Sequence, residues 1–117
     1  MPAAVMRARL GAMIYLVTRA DLPPGQQAVQ AAHALHEFIF KFPGTSCEWH
    51  RTSGFLVLLA AENESVLLRL ADRALLGGIE FAEFREYDYG DALTAVAFAP
   101  SAKELLRKLP LALKGVT

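Results

Sequence analysis

One cysteine, no net charge and no long apolar run set the first limits on this chain of 117 residues. A lone Cys47 excludes an internal disulfide and a thiolate metal cluster, and it suits a reducing compartment, so a cytoplasmic location is expected. Twelve basic residues balance twelve acidic ones, which removes any general attraction to nucleic acid or membrane. No segment is long enough to span a bilayer. Neither G-x-S-x-G, a P-loop nor a dinucleotide-binding glycine pattern occurs, and repeats and low-complexity tracts are absent. What is abundant is apolar material, 54% of the chain, enough for a full core.

The N-terminus, MPAAVMRARLGAMIYLV, carries two arginines before an apolar run. That run leads straight into Arg19 and Asp21 without a small-x-small cleavage site. Residues 1–11 therefore read as a leader, poorly ordered or extending the first strand, and 12–117 as one domain. Ala12–Val17 is apolar without alternation, as in a strand buried on both faces. Asp21–Gly25 is a turn, and a helix follows from about Gln26 to Phe40, ended by Pro43-Gly44. Thr45–Ser53 reads as polar and irregular. Phe55–Ala61 is a second apolar strand; Asn63 or Ser65 caps a second helix, which Gly77-Gly78 stops. Ile79–Arg85 reads as an edge-like third strand, Glu86–Asp91 as an acidic turn and Ala92–Ala99 as a fourth strand. Ser101 caps a last helix, ended or kinked by Pro110. The order β-α-β-α-β-β-α predicts an α/β fold: a small mixed four-stranded sheet with helices on both faces, an α/β/α sandwich.

Gln26, Gln30, His33 and Glu37 recur at i, i+4, i+7 and i+11, one narrow polar stripe on the first helix. Ala28, Ala31, Ala32, Leu35, Phe38 and Ile39 form the apolar stripe opposite. His33 is suited to moving a proton near neutral pH, and the glutamines to orienting a carbonyl, a ribose or a base edge. A solvated helix face has the same spacing. Glu86, Asp88 and Asp91 in the acidic turn could orient His33 or activate a water; equally, Asp and Gly suit tight turns, with Tyr87 and Tyr89 covering the core edge. His33, His36 and Glu37 read H-x-x-H-E rather than H-E-x-x-H, and no third ligand is nominated, so no metal site is expected. Cys47 lacks a nucleophile motif. Trp49, His50 and Arg51 could stack on a base, or form a loop anchored by the indole.

V-x-R-x-D-L from Val17 to Leu22 and G-Q-x-A-x-Q-x-x-H-A from Gly25 to Ala34 resemble the signature of the type 2 peptidyl-tRNA hydrolases. The later elements look like that family too, with an acidic residue after the third strand and Thr94 opening the last strand before Pro100. The resemblance implies hydrolysis of the ester between a peptide and the terminal ribose of tRNA, without metal or organic cofactor. It carries over Arg19, Gln30, His33 and Thr94; Asp88 stands in for the family's acidic residue, with Glu86 competing for that role. Three features depart from the pattern. Gln26 occupies the position of the helix-opening Lys, the loop before the helix is about two residues shorter, and the chain is neutral. Losing a cationic oxyanion donor typically costs about 10²–10³ in rate. A catalytically impaired member binding RNA or protein, or a small-metabolite module, therefore stays open beside the esterase reading. An edge-like third strand with Phe40, Phe42 and Trp49 makes a homodimer an expectation.

Overall fold

Met13–Arg19 forms strand β1, whose residues Ile14–Thr18 are all buried, as an unalternating apolar run requires. The structure, a computed structural model, describes residues 12–114; the leader expected over 1–11 lies outside the described residues. Helix α1 (Pro24–Lys41) leads to α2 (Pro43–Thr52), then β2 (Phe55–Ala61), α3 (Glu64–Leu76), β3 (Phe81–Glu86), a short 3₁₀ turn at Tyr87–Tyr89, β4 (Ala92–Phe98), a second 3₁₀ turn at Pro100–Ala102, and α4 (Lys103–Leu106). The strands form one mixed sheet in the order β2-β1-β4-β3. β1 and β2 run parallel, from Met13 opposite Phe55 to Arg19 opposite Ala61. β4 runs antiparallel to both β1 and β3.

Helices cover both faces, as the element order predicts. On one face α1 lies on a floor of small side chains: Ala31 and Ala34 of the helix meet Ala82, Ala95, Ala97 and Ala99, with Phe38 filling the far end. On the other, α3 and α4 bury Leu67, Leu70, Ala74 and Leu106 against Tyr15, Val17, Val96 and Phe98. Asn63 caps α3, its side-chain oxygen accepting from Val66 N–H at 3.1 Å.

Four local readings are corrected. Thr45–Ser53 is not irregular: Pro43 restarts the chain as α2, because proline's fixed φ suits a first helical turn as well as it ends the preceding helix. Trp49 thus sits on a helix, donating its indole N–H to the Phe55 carbonyl at 2.7 Å. The buried face of α1 is Gln27, Gln30, Ala31, Ala34 and Phe38, so Ala28, Ala32 and Ile39 face outward. Tyr87 and Tyr89 do not cover the core edge; Tyr87 is 84% exposed. The last helix has no side-chain cap from Ser101, and enters through the 3₁₀ turn instead.

The two outer strands meet different fates. The inner half of β2 is closed by the chain end, with Ala60 N–H donating to the Pro110 carbonyl and Ala112 N–H to the Leu58 carbonyl, both at 2.9 Å. β3 pairs with β4 alone among the described residues and keeps an open outer edge. Phe38→Ala, which empties a fully buried site between α1 and the sheet, should cost about 3–5 kcal/mol in a urea unfolding titration. Asn63→Ala should cost about 1 kcal/mol.

Candidate active site

Where β1 ends, α1 begins, β3 ends and β4 starts, one polar side chain is fully buried and fully engaged. Gln30 is 1% exposed. Its amide N–H groups reach the Glu86 carboxylate at 2.9 Å and the Gln26 side-chain oxygen at 3.2 Å. Its oxygen accepts the Thr94 hydroxyl at 2.7 Å. The proton directions follow from valence. An ionised carboxylate only accepts, so the Gln30 NH₂ must face Glu86, and Thr94 must then donate to the Gln30 oxygen rather than to the longer contact at the Phe84 carbonyl, 3.2 Å away.

A β-bulge makes this chain of bonds possible. Phe84 pairs with Ala95, but Arg85 pairs with Leu93, so Thr94 is the extra residue on β4. Along a regular strand Thr94 and Ala95 would face opposite ways. Here Leu93 belongs to the α3 side, while Thr94 bonds Gln30 and Ala95 packs under α1. At the tip, Gly90 and Asp91 both adopt left-handed backbone, φ 64° and 60°, and Asp91 N–H closes onto the Glu86 carbonyl at 3.0 Å. The turn thereby fixes the strand end that carries Glu86.

Glu86 and Asp88 sit differently. The Glu86 carboxylate accepts from Gln30 and, at a longer 3.4 Å, from the Asp88 backbone N–H. The Gln30 hydrogen bond, then the Asp88 N–H, hold it below the usual carboxylate range, with a smaller contribution from the charge of His33. Asp88 is exposed, and its side chain joins no hydrogen bond of this network. His33 lies one turn beyond Gln30. Its ring stacks flat on Phe84, centroids 4.4 Å apart and planes 12° apart, with its edge exposed. No hydrogen bond joins His33 to Glu86.

Gln26 is exposed at the helix opening. Its oxygen is committed to Gln30, so its two N–H donors are left to face the opening. A Cβ placed on the neighbouring Gly25 would meet no atom within 4 Å, so the helix opening is sterically clear at that position. Across the opening, Arg19 makes a two-pronged bond to Asp21 at 2.9 and 3.0 Å and donates to the Leu93 carbonyl at 3.2 Å. Three of its five N–H groups are thus used and two remain. Leu93 N–H in turn donates to Glu64 in the first turn of α3 at 2.7 Å.

Three supports went unsingled in the sequence. Gln27 donates to the Leu22 carbonyl at 2.7 Å, and its own carbonyl accepts the Thr18 hydroxyl at 3.2 Å, which locks the short loop to α1. Glu64 is the third. The signal for Gln27 is its helical spacing with Ala31, Ala34 and Phe38, all on the buried face. Trp49, His50 and Arg51 do not join the site; they lie on α2, where Trp49 and His50 line a separate cavity of about 280 Å³. Glu37 continues the stripe as an exposed residue.

The family described as Peptidyl-tRNA hydrolase PTH2 matches residues 12–116, nearly the whole chain. The chain belongs to this family. A search of curated proteins gives no match. Within the peptidyl-tRNA hydrolase framework the bulged Thr94, the buried Gln30 and Glu86 sit at the mouth of the sheet, and no helix among the described residues is long and apolar enough to cross a membrane.

Thr94→Val keeps the shape but leaves the Gln30 oxygen without its donor, which should cost about 1–3 kcal/mol in urea unfolding. Asp21 is held below its ordinary value chiefly by the Arg19 hydrogen bond. As pH falls, the unfolded chain takes up that proton first, so the stabilisation is complete above about pH 5 and is lost as pH falls through the folded value. Unfolding midpoints of the native protein and Asp21→Asn should differ at pH 7 and converge in strong acid.

Proposed function

We propose that this protein hydrolyses the ester that joins a peptide to the terminal ribose of tRNA. The observation that supports this best is the Thr94–Gln30–Glu86 chain of hydrogen bonds, set at the opening of α1 beside the two uncommitted N–H groups of Arg19. A buried amide that links a hydroxyl to an ionised carboxylate orients the carboxylate without neutralising it.

In the proposed reaction, water attacks the ester carbonyl carbon. His33 takes the water proton, the type of transfer an imidazole performs near neutral pH. The new carbon–oxygen bond forms, the bond to the ribose oxygen breaks, and the proton returns to that oxygen as it leaves. Glu86, held ionised, favours the imidazolium that forms in between. The Gln26 N–H donors and the first N–H groups of α1 face the carbonyl oxygen as it gains charge. Arg19 offers its two remaining N–H groups to a ribose or phosphate oxygen. Asp88 has no part in this scheme.

His33→Ala and Glu86→Gln should each lower kcat by about 10²-fold or more in a peptidyl-tRNA cleavage assay, while Asp88→Asn stays within about twofold of the parent. Because the Gln30 and Asp88 N–H groups hold Glu86 below its ordinary value, its own protonation should reduce kcat/KM only at a pH lower than the ordinary glutamate range, and Gln30→Ala should move that loss to higher pH. A native protein that leaves peptidyl-tRNA intact at micromolar concentration would overturn the proposal.

The neutral amide at the helix opening favours a second reading, a family member that binds peptidyl-tRNA without cleaving it. Gln26→Lys separates the two. It supplies a cation at the oxyanion position, and an inert parent that becomes active by this change alone is a binder; an active parent should gain up to about 10²-fold.

A further inference from the structure

The mouth of the candidate site is poor in free cations. Arg19 is tied to Asp21, Arg85 to Glu83 at 3.1 Å, and Glu64 and Glu86 add negative charge. A polyanion as long as tRNA needs its phosphates held elsewhere.

The far side of the sheet provides a place. Three cavities of about 430, 400 and 360 Å³ follow one another along the flank of α3 and share lining residues. The first starts at Ala20, next to Arg19, and runs past Glu62 to Val66. The second continues from Val66 along Leu70 to Arg69 and Arg73. The third is bounded by Arg73 again and by Arg107 and Lys108 just beyond α4. Leu109 borders both the first and the third. From Val66 to Arg73 is seven residues, about 10 Å of helix.

The charges in this trough are segregated. Arg69 and Arg73 are one turn apart on the same flank, and neither they nor Lys108 has an ion-pair partner among the described residues. Arg107 meets Glu104 only at 4.0 Å, both side chains being largely exposed, a pair that phosphate displaces easily. Four cations thus face two carboxylates along the trough, Glu104 at its outer end and Glu62 at its inner end, in a chain whose net charge is zero.

We propose that this trough holds the backbone phosphates of the tRNA strand whose end enters the site, an inference that rests on peptidyl-tRNA being the substrate. Its apolar floor of Val66, Leu70 and Leu109 lies between cations that phosphates can reach, and its inner end opens beside Arg19. Exposed Leu75 and Leu76 near the end of α3 make an anionic membrane the competing occupant. Continuity with the Arg19 loop favours RNA.

The test is the salt dependence of binding to deacylated tRNA, measured by fluorescence anisotropy between about 50 and 200 mM salt. Arg73→Gln combined with Lys108→Gln should flatten the slope of log K against log salt by about 1.4–1.8, the loss of two phosphate contacts at about 0.7–0.9 each. KM for peptidyl-tRNA should rise more than tenfold with kcat held. Arg51→Gln, on α2 across the sheet, should leave the slope as it is. Circular dichroism confirms that each variant folds. An unchanged slope in the double variant, with cleavage by the parent intact, overturns the trough alone. So does binding to phosphatidylglycerol vesicles that the double substitution abolishes while tRNA binding persists. Failure of the parent protein to bind tRNA at all overturns the reading beneath it.

Discussion

A buried primary amide must have every donor and acceptor answered, and that requirement at Gln30 organises the functional end of this fold. An unpartnered amide in such a place would cost about 1–3 kcal/mol per group. The chain answers it with three separate pieces of sequence: Gln26 one turn earlier, Thr94 on the central strand and Glu86 at the end of the edge strand. Only if α1 lies close to the sheet can the amide reach both strands. The alanines at 31, 34, 82, 95 and 97 allow that close approach. The packing of small side chains thus sets the polar geometry above it.

The bulge at Thr94 is the second half of the same constraint. A regular β4 would turn the hydroxyl away from Ala95's side and leave the Gln30 oxygen facing apolar side chains. With the bulge, two consecutive residues face α1, one small enough to pack and one able to donate. The left-handed pair Gly90–Asp91 then turns the hairpin so that Glu86 arrives on the donor side of the Gln30 amide. Glycine at 90 adopts φ 64° freely; Asp91 is among the few other residue types that tolerate it.

Much of this was legible in the residues. Strand identities, the parallel crossover and the antiparallel hairpin followed from unalternating apolar runs separated by helix-period segments or by a short turn. The stripe of Gln26, Gln30, His33 and Glu37 was visible as a spacing, but spacing cannot say how far the helix is rotated. The structure rotates the stripe so that Gln30 is under the sheet while His33 and Glu37 stay outside. Nor could sequence order separate Glu86 from Asp88, two residues apart, because the distinction depends on a register shift at Phe84 that leaves no compositional mark. Pro43 marks a stop in the sequence and in the structure is also a start, since its fixed φ serves both. Gln27 and Glu64 were hidden for a related reason: each bonds a backbone group brought near by the fold, at Leu22 and at Leu93.

Gln26 gains its meaning from this network. Its side-chain oxygen accepts the second N–H of Gln30, which an ammonium cannot do, because lysine has donors only. A lysine at 26 would release that Gln30 N–H toward water and would place a cation at the helix opening instead of an acceptor. The two arrangements distribute charge differently. With glutamine, the carboxylate keeps its full charge while the amide donors face outward, and the Gln30 amide is the group that meets that charge directly. The neutral residue at this position therefore completes the chain of amides that ends on the Glu86 carboxylate, where a lysine would compete for that charge.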